Sequence, residues 1–448
     1  MPDPGPANLT LLRERHPAAF EVIRSCGAAP DGTEDGFASP VDLTGTRVAE
    51  LRTTVVFGFG DGSLIEGALR AAPADAQVFV CLLDPQRAAR GLAHRDLRRA
   101  LADPRLVLLA GSLREIASGM PRPTSDDIEV LVTPGLRQAA SPELEPLVSM
   151  AEELAGKRRS DRRQRPEVLD NVERNLDTIL TAPGWASLAG DLEGRSVLVI
   201  APGPSLAEQR ELLAGVRLPL VVALDTSLRT LTSWGVRCDL AFTLDPTPGN
   251  LKKFEGLSMD APLAFLESAR PEAVHASPAP IFVCEEEGLL DRAHPWFGRR
   301  GRTRSGGSVL HAAVDALIRS NVRTVAIAGA DLAVDRDAGH VEGARRVEGE
   351  PVTREVPARG GGSVGTTESL WRHWRRLRRL IAAAPGGVVT DVTARGASLD
   401  PAPRTSLEVW LRDLPEADLS GRPVQGEAEP APPEAREAAE EALRNARR

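Results

Sequence analysis

The residues of this chain best suited to chemistry are three aspartates that follow apolar runs and two turns of small residues. Asp225 closes the run 220–224, Asp245 closes 240–244, and Asp331 follows 324–328 through Gly329 and Ala330. Gly203-Pro204-Ser205 ends the wholly apolar run 197–201, and Ser305-Gly306-Gly307-Ser308 opens a helical pattern. Glycine lets a backbone approach a ligand, serine caps a helix, and a helix N-terminus attracts anions. Such turns suit a phosphorylated or nucleotide-bearing ligand. Neither is a Walker loop, because no Gly-Lys-Ser/Thr follows. A lone aspartate at such a place caps the next helix as readily as it meets a ligand, and a Ser-Gly-Gly-Ser segment is as readily a plain turn. Three carboxylates and a Gly-Ser turn on one sheet edge are harder to assign to capping alone, since that edge is where binding sites form.

A parallel sheet has to position these ends. Unbroken apolar runs read as strands buried on both faces. In the second half the expected strands, wholly or mostly apolar, fall at 197–201, 220–224, 240–244, 281–284, 324–328 and 388–392, with helices between most of them. Residues 308–320 repeat apolar groups at Val309, Ala313 and Leu317. Residues 366–384 place Leu370, Trp374, Leu377 and Ile381 on one face, with five arginines over much of the rest. The first half alternates in the same way, with strands at 53–57, 77–83, 106–110 and 127–132. This pattern predicts an α/β chain with helices on the faces of parallel sheets. The expected organisation is a first domain at 1–155, a helical connector at 156–191 containing Asn171 and Asn175, a second domain at 192–400, and a Pro/Glu/Ala-rich, loosely attached tail at 401–448.

The first half carries its own glycine turn, Gly58-x-Gly60-x-Gly62, with Asp84 at the next strand end. That spacing fits a cofactor such as S-adenosylmethionine, whose ribose the acid would hold, and it fits equally a structural unit without a ligand.

Composition narrows the classes. The 448 residues carry a formal charge of -8 and are 42% hydrophobic, which gives nucleic-acid binding little electrostatic support. Four scattered cysteines have no metal-ligand spacing and form no disulfide framework. No apolar run reaches the length of a membrane span, and the amino terminus shows no basic segment followed by an apolar core, so a cytoplasmic setting is expected. Tyrosine is absent, which removes one residue type from any catalytic scheme.

The ordered motifs resemble those of the motility accessory factor proteins, a family of flagellin glycosyltransferases whose central domain is shared with the 6-hydroxymethylpterin diphosphokinase MptE-like group. They are Val199-Ile200-Ala201-Pro202-Gly203-Pro204-Ser205-Leu206, Asp225, Cys238-Asp239 with Thr243-Leu244-Asp245, and Gly306-Gly307-Ser308-Val309. After these come Ile327-Ala328-Gly329-Ala330-Asp331-Leu332-Ala333, Thr366 before a Trp-bearing helix, and Val389-Thr390-Asp391-Val392-Thr393 with Gly396-Ala397. Phe57-Gly58-Phe59-Gly60-Asp61-Gly62 and Asp84-Pro85 resemble the Rossmann-like domain that precedes the central one. The likeness spans roughly residues 50–400.

The resemblance implies two Rossmann-like parallel-sheet domains, the second of a sialyltransferase-type fold. It implies transfer of a nonulosonic sugar (sialic or pseudaminic type) from a CMP-activated donor to Ser or Thr of flagellin, with no metal needed for nucleotide binding. Carried over, Gly203, Pro204 and Ser205 lie against the nucleotide and Asp225 beside its ribose or base. Gly306, Gly307 and Ser308, with Ser305 opening the turn, face the phosphate or sugar carboxylate, and Asp331 sits on the pocket rim. Such a reaction needs a general base near the acceptor hydroxyl and cations or N–H groups around the departing phosphate. His340 is the first candidate base, with Asp331 and Asp245 as alternatives, and Arg302 and Arg304 are candidates for the phosphate. The family's pattern has Asn and a Gly-Gly pair where this chain has Asp391 and Arg395-Gly396, and a polar residue where it has Ala330. Two other readings stay open. One is a 6-hydroxymethyl-dihydropterin diphosphokinase using ATP and Mg²⁺ held by Asp225, Asp245 and Asp331. The other is a nucleotide-binding member without catalysis.

Overall fold

The computed structural model describes residues 5–26, 43, 46–121, 128–257, 259–334, 351–420 and 424–447. The chain forms two compact units, Met1–Arg163 and Gln164–Arg448. The division falls inside the helix Glu145–Thr181, within the span expected as a connector.

The first unit is built on β1 (Thr53–Phe57), β2 (Gln77–Cys81), β3 (Leu106–Leu109) and β4 (Ile128–Val132). All pairings are parallel, in the order β3-β2-β1-β4. Successive side chains of a strand point to opposite faces. Val56 accordingly joins Ile65 and Leu69 in one core, while Val55 and Phe57 join Val148 and Ala151 in another.

The second unit holds β5 (Ser196–Ile200), β6 (Leu220–Leu224), β7 (Leu240–Thr243), β8 (Leu263–Leu266), β9 (Pro280–Glu285), β10 (Arg302–Thr303), β11 (Thr324–Ala328) and β14 (Val389–Asp391). They form one parallel sheet in the order β10-β9-β8-β7-β6-β5-β11-β14. Val197 and Val199 enter one core and Leu198 and Ile200 the other, which is why this segment is apolar without interruption. From β5 the chain steps outward to β10 on one side, then returns along the helix Val309–Arg319 to β11 on the other side of β5. The return reverses the strand order between β5 and β11, and ligands of open α/β sheets bind in the crevice outside the strand ends at such a reversal.

Three features lay outside the sequence reading. β8 is a four-residue run, and β10 has two residues, too short for any periodicity. An antiparallel hairpin, β12 (Val352–Pro357) with β13 (Ser363–Thr367), precedes the helix Glu368–Ala383. Thr367 caps that helix by accepting from the Leu370 N–H, and its buried stripe is Trp371, Trp374, Leu377 and Ile381. Trp371 therefore takes the buried place that the sequence pattern gave to Leu370.

The carboxyl-terminal region is not loose where it is described. Leu407, Trp410 and Leu411 of the helix Leu407–Arg412 pack with Leu198, Ile200 and Leu206. Ala435, Ala439 and Leu443 of the helix Pro433–Arg447 pack with Trp296, Phe297 and Leu290. The Pro and Glu content hid an apolar stripe at helical spacing. Asn171 donates to the carbonyls of Pro246 and Ser268 (both 3.0 Å), and Asn175 to that of Ala269 (2.8 Å), tying down the loops after β7 and β8. Among the described residues no helix is long and apolar enough to cross a membrane.

Candidate functional site

The crevice between β5 and β11 is made of backbone turns packed at close range. A Cβ on Gly203 would lie 2.3 Å from the Gly329 carbonyl oxygen and 2.6 Å from the Asp331 carboxyl carbon. Gly329 has φ +68°, and a Cβ there would lie 2.2 Å from the Ala201 carbonyl oxygen. Both glycines are therefore dictated by the neighbouring strand end, whatever the ligand. Asp331 turns back across the gap: one oxygen accepts from the Ser205 hydroxyl (2.5 Å) and the other from the Ser205 N–H (2.8 Å). Ser205 and Asp331 are both buried. Burial lifts the Asp331 carboxyl above its ordinary range, and the two Ser205 bonds oppose that rise. Pro204 is half-buried in the turn between them.

One strand further, Asp225 at the end of β6 is buried and accepts from the Thr243 hydroxyl (2.9 Å) and the Lys253 ammonium (3.1 Å) through one oxygen. Its other oxygen, also buried, has no hydrogen-bond partner among the described residues. Lys253 reaches equally to Asp245 (3.1 Å), whose other oxygen accepts from the N–H and hydroxyl of Thr247. Burial pulls the Lys253 ammonium down, but the two carboxylates outweigh it and hold its pKa above the ordinary lysine value. Asp245 is the more open of the two acids, with 28% side-chain exposure against 1% for Asp225. Ser227 fastens this strand end to β5 by donating to the Ile200 carbonyl (2.7 Å).

Ser305-Gly306-Gly307-Ser308 follows β10 and opens the helix Val309–Arg319, which packs across β5, β6, β7 and β11. The turn thus stands on the same carboxyl edge as Gly203 and Asp225. Gly306 and Gly307 have φ of +55° and +76°, and the Ser308 side chain makes no capping bond. Ser305 N–H donates to Glu285, and Arg376 donates to the Gly306 carbonyl. The two arginines expected near a phosphate are engaged elsewhere, Arg302 with Asp291 and Arg304 with Glu286 (both 2.8 Å). His340 lies outside the described residues.

The three aspartates do not converge. Lys253 sits between Asp225 and Asp245, while Asp331 faces Ser205 across the crevice. Among the described residues no three His, Cys, Asp or Glu side chains are grouped to hold a metal ion.

Sequence reasoning missed four residues on this edge. Lys253 carried a signal: lysine occurs at only three positions (Lys157, Lys252 and Lys253) among the 55 Lys and Arg of this arginine-biased chain. A compact ammonium fits between two carboxylates where a planar guanidinium does not. His311, in the first turn of the helix after Ser308, bonds the Arg304 carbonyl through Nδ1 (2.6 Å), and burial lowers its pKa. Glu267 follows β8; burial, with the charge of Glu285, pushes its carboxyl up to about 8, and it accepts from the Leu289 N–H (2.9 Å). Arg359 faces Asp391 at the end of β14.

The glycine turn of the first unit is closed on itself. Asp84 accepts from the N–H groups of Phe59 (2.6 Å) and Gly60 (2.8 Å), and the Thr133 hydroxyl donates to the Gly58 carbonyl (2.9 Å). A Cβ on Gly58 or Gly60 would meet Thr133 at 2.9 or 2.6 Å. The acid that would hold a ribose is spent on its own loop.

Residues 170–337 match the family model described as 6-hydroxymethylpterin diphosphokinase MptE-like. Among solved structures the chain is similar to a MAf glycosyltransferase from Magnetospirillum magneticum AMB-1, with 15% identity, a TM-score of 0.46, and coverage of 98% of this chain and 77% of that one. No curated protein matches it. The crevice between β5 and β11, from Gly203 to Asp331, falls within the residues that this family model matches.

Proposed function

We propose that the second unit binds a CMP-activated nonulosonic acid at the β5–β11 crevice and transfers the sugar to Ser or Thr hydroxyls of flagellin in the cytoplasm. The observation that carries this reading is the disposition of the three aspartates: two share Lys253 and the third is spent on Ser205. Such an arrangement suits a nucleotide reaction in which no metal is bound by the three together. It also orients the nucleotide. The Asp225–Lys253–Asp245 group has a net charge of -1 and repels phosphate, but it can meet the hydroxyls of a ribose or the polar edge of a base. The phosphate and sugar carboxylate then lie toward Gly306, Gly307 and Ser308, where the helix Val309–Arg319 presents its first N–H groups.

In the transfer, the acceptor hydroxyl gives its proton to a base as its oxygen bonds the anomeric carbon. The bond from that carbon to the phosphate oxygen breaks, and CMP leaves with the electron pair. His340 is the candidate base. Of the described alternatives, Asp245 is more accessible than Asp331.

The second reading is a Mg²⁺-dependent 6-hydroxymethyl-dihydropterin diphosphokinase, favoured by the description of the matching family model. Thermal unfolding with CMP or ATP, each with and without Mg²⁺, separates the two. Metal-independent stabilisation by CMP is expected; stabilisation by ATP with Mg²⁺ alone would overturn glycosyl transfer in favour of pyrophosphoryl transfer.

A further inference from the structure

The side chain of Arg359, at the tip of the β12–β13 hairpin, is 1% exposed and faces an Asp391 side chain that is 3% exposed. Its Nε donates to Asp391 (2.6 Å), Nη1 to the Arg395 carbonyl (2.8 Å) and Nη2 to the Ala330 carbonyl (3.1 Å). Its own N–H donates to the Gly396 carbonyl (2.9 Å), and its carbonyl accepts from Arg404. The second Asp391 oxygen accepts from the Thr393 N–H (3.1 Å), and the Thr393 hydroxyl accepts from the Ala330 N–H (3.1 Å). Ala397 N–H donates to the Asp331 carbonyl (2.8 Å), and Gly396 lies so close to the Asp331 backbone that a Cβ there would come within 2.3 Å of it.

One guanidinium therefore joins the hairpin tip, the end of β14 and the loop after it, and the Ala330–Asp331 turn. Asp331 in turn holds the Ser205 turn. A buried guanidinium is tolerated only when its charge is met and its donors are used; here Asp391 meets the charge and each of the three nitrogens donates a bond. We propose that Arg359 is the positioning residue of the crevice: neutralised by Asp391, it fixes Ala330–Asp331 and, through Asp331, the Ser205 turn. The hairpin is on this account a fixed wall of the site. The effect on ligand binding rests on the nucleotide reading above; the positioning itself does not.

The test compares Arg359→Gln with the apolar pair Arg359→Met/Asp391→Leu, reading amide exchange at Ser205 and Ala330, CMP affinity by calorimetry, and thermal unfolding. Removing one partner strands a buried charge, whereas replacing both removes that charge without restoring the three-way junction. Arg359→Gln should speed exchange at both amides by about tenfold or more and weaken CMP to a similar degree. The double variant should melt above Arg359→Gln yet keep the fast exchange and the weak binding. If Arg359→Gln does not fold, the double variant decides. Wild-type protection of Ser205 in either folded variant would overturn the proposal. Failure of the wild type to bind CMP would remove the nucleotide reading, and exchange would still decide the positioning role.

Discussion

Asp84 and Asp225 occupy the same topological place, the end of the strand next to the first glycine-turn strand, yet they do opposite things. Asp84 gives both oxygens to the turn after β1. Asp225 gives nothing to the turn after β5, because Asp331 reaches that turn from the other side of the strand reversal. Asp225 is thereby released to share Lys253 with Asp245. The acid that satisfies the first turn decides which acid remains for chemistry. In the first unit the nearer acid does so and the crevice closes; in the second the farther acid does so and the nearer one is left over.

Substitutions should break this contrast to different degrees. Gly329→Ala comes first, because it forces a side chain into the Ala201 carbonyl at positive φ; a loss of about 3 kcal/mol or more in denaturant unfolding is expected. Next, Asp84→Ala strands two buried N–H groups and should cost about 2–4 kcal/mol. Asp225→Ala leaves Lys253 its second carboxylate and should cost only about 1 kcal/mol while weakening CMP at least tenfold in calorimetry. Equal losses of stability from the two aspartates would erase the distinction. Ser205→Ala should cost about 1–2 kcal/mol, since it leaves one Asp331 oxygen without its donor.

Titration should separate the units more gently. Burial pushes Asp84 up to about 6 from an ordinary 3.8. Its unfolded form therefore loses the proton first, and stability falls as pH rises from about 4 to about 6, then levels off. Glu267 in the second unit, raised from 4.5 to about 8, should extend the decline to about pH 8. Asp84→Asn should flatten the lower window and Glu267→Gln the upper one when unfolding is followed across pH. A decline unaltered by either substitution would contradict these assignments.

Much of the sheet could be read from the sequence, because strands covered on both faces must be apolar at every position. The runs at β5, β6, β7 and β11 stood out for that reason. β8 and β10 did not: the two residues of β10 carry no period, and the four of β8 were passed over. The ends bearing Gly203, Asp225, Asp245 and Asp331 were also readable from their place after those runs. What each acid bonds was not, because Ser205–Asp331, Asp225–Lys253 and Arg359–Asp391 pair residues distant in sequence. The attachment of the carboxyl-terminal helices was misjudged from composition, whose Pro and Glu content outweighed the sparse stripe of Ala435, Ala439 and Leu443.

The bond between Ser205 and Asp331 spans 126 positions, and this sets an order of assembly. Strands β5 to β10 can form and pair while the later chain is still being synthesised, each next to the one before. The turn after β5 must wait for β11 to return across the sheet before its N–H finds an acceptor. Long-range closure of this kind is slow compared with local pairing. The crevice thus matures after β5 to β10 have paired, with only the β14 edge of the sheet still to come, and a nascent chain stalled short of Asp331 would carry most of the strands but no finished site.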